Sequence, residues 1–469
     1  MYRYEPADNG AGPLWCSGST CLARIGDEVY ASGLETLKDL KPLNNCRWQL
    51  FQRHDSGWKL LQADATGRTR EPCPLAAFPD GRLFLSANPT LTPTNTYAGP
   101  ARPEILQFRA RDLKAVPDER IPALPPQRRA LGLGEPARTA AQSQSSALQG
   151  QRREAPTPDR LLPVWDGNPQ FTEHSYRSLA ADGPGHELIL FQNIGYTHAE
   201  WAFCDSAGAW SAHGKLLWPQ GSDYPKPEPI RVCYPDVALR RRAVHFCGVS
   251  DIVEPYPEWR AFKKQLTGQE WDYDFRRLFY TWTPDITRTN FQPWIGLASR
   301  DKTCGWISPG DLWLAPDGTA HVVWTERAID ERLRAKFFPQ EKQRHELNYA
   351  VLDYGQIILR RTLLCAGEDK PGEVPSAPRF QVTPDNRLFL VFYVQGTSAS
   401  GKTVSENRVM EILRNGETGP QARIPFHRPF TSYFTATVRA GSPPSATLEL
   451  LGQQAGAGSA ISYARIALW

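Results

Sequence analysis

The chain predicts an all-β fold, a seven-bladed β-propeller of four-stranded antiparallel blades, on three observations. One phrase recurs five times: an apolar run, a tight turn of Pro-Asp-Gly type, then a second apolar run that alternates. The copies are LAAFPDGRLFLS (75–86), LAADGPGHELILFQ (179–192), DVALRRRAVHFCG (236–248), LWLAPDGTAHVVWTE (312–326) and FQVTPDNRLFLVFYV (380–394). Two weaker copies flank them, CLARIGDEVYASG (21–33) and TATVRAGSPPSATLELLG (435–452). Each reads as a β-hairpin, because a turn rich in Gly, Asn or Asp joins two strands of period two. Finally, outer hairpins follow most copies, at 46–62, 200–218, 276–299, 346–364 and 406–424. Seven hairpins of this kind on one chain indicate a radial β-repeat.

The inner hairpin of each repeat is taken as strands A and B of a blade, and the outer one as C and D. Blades then fall near 13–63, 72–165, 172–219, 230–300, 305–365, 374–425 and 430–469. The final strand AISYARIALW pairs with the N-terminal segment, since an open edge is a liability. Length alone suggests two or three domains for 469 residues. A propeller of this size closes as one, spanning 1–469. Residues 125–160 are rich in Pro, Gln, Ser, Ala and Arg and read as a flexible excursion between strands C and D of blade 2. The insertions 250–275 and 325–345 mix aromatic and charged residues. They lie between strands B and C, so they stand on the top face beside the axis, with short helices expected.

Composition narrows the function classes. There are 54 basic and 50 acidic residues, a net charge of +4, which is no nucleic-acid footprint. No apolar stretch approaches the ~20 residues of a membrane span. The N-terminus MYRYEPADNG shows no secretory signal. Nine cysteines without a CxxC pair support no zinc cage. One or two disulfides among Cys16, Cys21, Cys46 and Cys73 are compatible with the count, but buried free thiols fit better. No cofactor is called for; a structural metal ion is compatible with the composition, although no spacing demands it. The 15 Trp, 16 Tyr and 20 Phe suit packing between blades and stacking on sugars.

Two outer hairpins contain HDSGW (54–58) and CDSAGAW (204–210). These resemble the Asp-box of BNR propellers without its Thr, and the chain resembles a sialidase-like BNR propeller over most of its length. The resemblance implies a turn capped by Asp and a Trp wedged between strands; it says nothing of substrate. In such rings the D-to-A and B-to-C loops share the top face. Polar residues just before strand A or just after strand B therefore face a common pocket. In blade 3, TEHSYRSL places His174 before strand A, with Tyr176 and Arg177, and NIGYTHAEW places Tyr196 and His198 after strand B. Arg231 and Tyr234 open the next blade, and Arg276 begins its strand C.

This arrangement resembles the propeller lyases that act on uronic-acid glycans, the ulvan lyases and the L-rhamnose–glucuronate lyases. The resemblance implies catalytic places for His174, His198, Tyr234 and Arg276, and a polysaccharide or oligosaccharide substrate. It also implies export, hence a secreted or periplasmic location. The chemistry is consistent with those residue types. Elimination removes the weakly acidic C5 proton of a uronate, so a cation must offset the carboxylate and the developing enolate. His suits the base because its reference pKa is ~6.5, and Tyr can protonate the leaving oxygen. The expected assignment is His198 as base, Tyr234 as acid, and Arg276 with Arg231 as clamp. Arg177, Tyr196, Trp271, Asp311, Glu326, Arg379 and Tyr433 complete the expected substrate-binding set. An ion pair of Arg276 with Asp272 or Asp274 is the structural alternative.

Two other classes stay open. A sialidase-like hydrolase would draw arginines from Arg231, Arg327, Arg379 and Arg408, with Tyr433, Glu326 and Asp311. The Arg-Ile-Pro signature is out of place at 423–425, and another glycosidase would need a carboxylate pair such as Asp251 and Glu326. A non-catalytic glycan- or protein-binding platform would use Trp259, Trp271 and Trp294.

Overall fold

The computed structural model describes residues 1–15, 18–113, 157–398 and 400–468. It is a ring of seven four-stranded antiparallel sheets. Blade 1 comprises Leu22–Ile25, Glu28–Thr36, Cys46–His54 and Gly57–Ala63, and blade 2 comprises Leu75–Ala77, Arg82–Ala87, Glu104–Arg109 and Asp159–Leu161. Blade 3 is built from Ser178–Asp182, Glu187–Ile194, His198–Cys204 and Trp210–Leu217, and blade 4 from Val232–Arg240, Ala243–Ser250, Arg277–Thr283 and Ile295–Ser299. Blade 5 holds Trp306–Leu314, Ala320–Arg327, Arg344–Asp353 and Gln356–Gly367, and blade 6 holds Glu373–Val382, Leu388–Thr397, Thr403–Ile412 and Ala422–Ile424. Blade 7 takes Phe430–Thr435, Thr447–Gln454 and Ala460–Ala467 from the C-terminal end, and its fourth strand is Tyr2–Arg3. That strand pairs Tyr2 with Ile461 and Arg3 with Ala460, closing the ring as the edge argument expects.

Each predicted hairpin is present, and local chemistry explains why. In the turn Pro79-Asp80-Gly81, Gly81 adopts φ +91°, a left-handed conformation that costs glycine nothing. Asp80 accepts the Arg82 amide at 3.1 Å and fixes the turn. In 204–210, Asp205 accepts the amides of Ala207 and Ala209 at 3.0 and 3.1 Å, so an Asp does cap this turn. The 125–160 excursion lies largely outside the described residues, as does Cys16. Its last residues belong elsewhere: Asp159 and Arg160 form strand D of blade 2. The eight described cysteines are free thiols, seven of them buried.

The apolar residues of period two meet in the seams between blades rather than at one centre. Phe191, Trp201 and Phe203 of blade 3 pack on Val237, Phe246 and Phe279 of blade 4. Comparable clusters fill the other six seams. Each insertion on the top face holds one short helix, α1 (Pro257–Thr267) and α2 (Glu331–Phe337). Pro257 at the first position and left-handed Gly268 at the end delimit α1. The Asp330 carboxylate caps α2 by accepting the Arg332 amide at 3.0 Å. The helices meet through Trp259 and Phe338 (5.3 Å between rings) and Phe262 and Phe337 (5.6 Å).

Candidate functional site

The mouth of strand A carries a bulge in blades 4, 5 and 6, where the register to strand B shifts. At this level two tyrosines sit in left-handed backbone, Tyr176 (φ 38°) in blade 3 and Tyr234 (φ 48°) in blade 4. Such a conformation costs a non-glycine residue about 1–3 kcal/mol, and such strain gathers at functional sites. Both rings meet Trp15; Tyr176 is itself buried, at 8% exposed, and Trp15, Tyr234 and Phe275 are partly buried against the same cluster. Trp15 stacks on Tyr176 (4.8 Å, 18°) and meets Tyr234 edge-on at 5.6 Å. The strip continues from Tyr234 to Phe275 (6.0 Å) and from Phe275 to Trp306 (4.6 Å). Beside it, the Arg231 guanidinium lies over Tyr196 (4.1 Å), Tyr176 (5.3 Å) and Tyr273 (5.7 Å). Tyr196, which is half exposed, shares a hydroxyl contact of 3.3 Å with Tyr273, and burial plus this contact push its phenol up to about 12.

His174 stands at the Trp15 end of the strip. Its ring is 4.6 Å from Tyr176 and 5.3 Å from Trp15. Arg70 donates to Nδ1 at 2.5 Å, and the Glu71 carboxylate lies 3.5 Å from the same nitrogen. Glu71 is fully buried and accepts the amide and hydroxyl of Ser175 at 3.0 and 2.6 Å. Burial alone would raise its pKa, but His174, Arg177 and Ser175 hold it below the usual carboxylate range. Glu71 is therefore a fixed negative charge behind the imidazole.

His198 is placed differently. It opens strand C of blade 3, where Thr197 Oγ1 contacts Nδ1 at 2.7 Å and Glu200 Oε1 contacts Nε2 at 3.0 Å, so both ring nitrogens are engaged. The Asn193 amide donates to the Ser175 carbonyl, while Asn193 pairs with Ala199 on its other side. The two histidine-bearing segments thus flank strand B, two strand spacings or about 10 Å apart. Among the described residues the two imidazoles share no partner.

Several expected site residues are committed elsewhere. Arg276 is 1% exposed and makes a bidentate pair with Glu254 (2.9 and 2.9 Å), a bond to Asp301 (2.9 Å) and a contact with Cys304 Sγ (3.0 Å). It also sits 3.4 Å from Asp274, the ion-pair alternative of the sequence reading. Lys263 of α1 joins the cluster through Glu254 (2.8 Å), Asp272 (3.1 Å) and Asp330 (3.7 Å). Burial would raise the Glu254 pKa, but Arg276 and Lys263 bring it down to about 2. Arg276 therefore anchors the 250–275 insertion and presents no free edge to a ligand. Arg177 is buried as well, donating to the Pro72 carbonyl at 2.5 Å. Arg231 is paired with Asp251 at 2.5 Å.

Asp311 lies on the axis, not in the mouth. The buried Arg439 bonds Asp311 (2.7 Å), Asp236 (2.9 Å) and the Gly18 carbonyl (2.7 Å), joining blades 4 and 5 to the segment before blade 1. Glu326 accepts the Trp324 indole at 2.6 Å and pairs with Arg300 in the seam of blades 4 and 5. Arg379 is buried against the carbonyls of Gly310 and Pro378. Tyr433 is buried in the seam of blades 6 and 7. Of the outer set, Trp271 (64%) and Tyr196 (44%) are exposed. On the opposite mouth a cavity of about 420 Å³ is lined by turn residues including Asp182, Arg240, Arg241 and Pro443. It has neither the histidine nor the ring strip of the top.

Sequence reasoning missed Trp15, Arg70, Glu71, Tyr273, Phe275 and Trp306. A signal existed for four of them. Trp15, Arg70 and Glu71 lie in the loops that enter strand A of blades 1 and 2, and Trp306 opens strand A of blade 5, the same kind of position that identified His174. Among the described residues no group of three His, Cys, Asp or Glu side chains is arranged to hold a metal ion, and no helix is long and apolar enough to cross a membrane.

No protein-family description matches the chain, and no curated protein does. Among solved structures it is similar to an ulvan lyase from a new family of polysaccharide lyase, at 7% identity and TM-score 0.46, over 98% of this chain and 94% of that one. It is similar to the α-L-arabinanase of Penicillium chrysogenum complexed with arabinobiose, at 12% identity and TM-score 0.39, over 95% and 92% of the two chains. It is also similar to the β-propeller domain of the trilobed protease of Pyrococcus furiosus, at 7% identity and TM-score 0.43, over 95% and 94%. Likeness at this level carries no argument for an activity, so a functional reading rests on the geometry above.

Proposed function

We propose that the axial mouth binds an acidic, uronate-containing glycan and cleaves it by β-elimination. One observation carries this reading: the His174 imidazole ends an unbroken strip of rings, with Arg70 and the buried Glu71 carboxylate at its Nδ1. Aromatic faces suit stacking on sugar rings, and the cations suit the uronate carboxylate. In the reacting state Arg70 turns to the substrate carboxylate and Nδ1–H faces Glu71. The Nε2 lone pair then takes the C5 proton, and Glu71 stabilises the imidazolium. The electron pair released at C5 forms the C4–C5 double bond. The C4–O bond breaks, and the leaving oxygen takes the phenolic proton of Tyr234; water then returns a proton to the phenolate, and the hydroxide left takes the C5 proton from the His174 imidazolium. The base is thus His174 rather than His198, and the clamp is Arg70 rather than Arg276. A polysaccharide substrate goes with export.

The unsaturated product absorbs in the ultraviolet. Incubation with uronate polysaccharides is expected to raise that absorbance, His174→Ala to abolish the rise, and His198→Ala to keep most of it. A rise retained in His174→Ala removes the proposed base. New reducing ends without absorbance indicate hydrolysis, for which Asp251 and Glu326 are poorly placed because arginines already neutralise them. The second reading is a non-catalytic platform, favoured by exposed Trp271 and Tyr196; binding without turnover would select it.

A further inference from the structure

The top face is rich in arginine, but most of these cations are neutralised internally. Arg231 is held by Asp251, Arg276 by Glu254 and Asp301, Arg300 by Glu326 and Glu346, and Arg332 by Asp272 and Asp330. Two arginines at the ring strip differ. Among the described residues, neither Arg70 nor Arg327 makes an ion pair. Arg70 donates to the Asn9 carbonyl (2.8 Å) and to His174, and lies over Trp15 at 5.7 Å. Arg327 lies over Trp306 at 6.0 Å, and its buried Nε has no hydrogen-bond partner. The nearby His345 is pushed down by burial and then by Arg327, with Glu331 opposing the shift. Trp15 and Trp306 are the two ends of the strip. The two unpaired guanidinium groups therefore stand at opposite ends of one aromatic floor, separated by ring steps of 5.6, 6.0 and 4.6 Å.

An unpaired, partly buried guanidinium is an anion site, since its planar fork matches carboxylate or sulfate oxygens. We infer that Arg70 and Arg327 are two anion sites of a single elongated groove, so that the ligand is an acidic oligosaccharide bearing anionic groups on separated residues, not a single acidic sugar. This rests on the ring strip being the glycan site. A ligand with one anionic group satisfies one end only. A longer ligand engages the second end intramolecularly, at high effective concentration, so affinity rises with length until both ends are filled. Arg327 then sets the minimum length and the charge spacing, while Arg70 faces the reacting residue.

The test is calorimetric binding of galacturonate, glucuronate and mannuronate oligomers, graded from monomer to hexamer, to the His174→Gln protein, which keeps the ligand intact. Methyl-esterified hexamers serve as uncharged controls. Arg327→Met keeps the aliphatic stem and removes the charge. It is expected to weaken hexamer binding about tenfold and leave monomer binding unchanged. Arg70→Met is expected to weaken both. Equal effects of Arg327→Met on monomer and hexamer, no effect on either, esters that bind as well as the acids, or no binding of any oligomer would each overturn the inference. Ultraviolet turnover by the unaltered protein reads the reaction separately. Turnover without length-dependent affinity removes the groove and leaves the elimination. Length-dependent binding to both cations without turnover does the reverse.

Discussion

His174 and Arg276 both come from loop edges on the top face, yet their surroundings assign them opposite work. The His174 side chain keeps 29% of its surface exposed and ends a ring strip, whereas Arg276 is sealed between Glu254, Asp274 and Asp301. Removing one member of a buried ion cluster leaves the others charged and unpaired. Arg276→Ala is therefore expected to cost about 3–5 kcal/mol of stability, read as a lower urea midpoint. A solvent-facing clamp would leave the midpoint in place. The same cluster sets an acid limit. Glu254 is depressed to about 2 in the folded chain, below its ordinary value near 4.5. Its contribution is thus complete above that ordinary value and is lost as pH falls from about 4.5 toward 2. The shift corresponds to stability on the order of 3 kcal/mol. Thermal melting against pH should show this fall, and Glu254→Gln should flatten it while lowering stability throughout.

At the level of elements, two short pieces matter more than their length suggests. The strand Tyr2–Arg3 is two residues long, yet it supplies the fourth strand of blade 7. Tyr2 stacks on Phe51 of blade 1 at 5.5 Å and 14°, so one ring ties the last blade to the first. Tyr2→Ala is expected to destabilise the protein by about 3 kcal/mol, the usual cost of emptying an aromatic site, as a drop in melting temperature. The other piece is α2, whose cap Asp330 also lies 3.7 Å from Lys263 of α1. Asp330→Ala removes a cap worth about 1 kcal/mol and loosens the two insertions together. Hydrogen exchange should rise in both α1 and α2 after this change, and a rise confined to α2 would show that the insertions are independent.

In the whole molecule, the ring brings together groups far apart in sequence at two levels of its axis. Above, Trp15, His174, Tyr234 and Trp306 converge; below them, Arg439 ties Asp236, Asp311 and the Gly18 carbonyl across the channel. Burial pushes Asp236 up to about 8 even though Arg439 opposes the shift. Arg439→Met is expected to lower stability by about 3–5 kcal/mol, because two buried carboxyl groups then lose the cation that bonds them both. Calorimetric unfolding of that variant measures this loss. If the ring tolerates it with an unchanged melting temperature, the axis is held by the seams alone.

Period-two patterning and turn chemistry determined the strands. Both are local, so seven inner hairpins, their outer partners, the closing strand and the top-face insertions were legible from residues such as Pro79-Asp80-Gly81. His174 and Tyr234 could be placed at the mouth for the same reason, since their distance from a strand start is a local fact. Tertiary structure decided which charges are spent. Whether Arg276 faces a ligand or Glu254, and whether Asp311 faces the mouth or Arg439, depends on partners 22 and 128 residues away in the chain. Spacing along a sequence carries no record of such pairing, because a buried ion pair is selected by the three-dimensional neighbourhood that desolvates it.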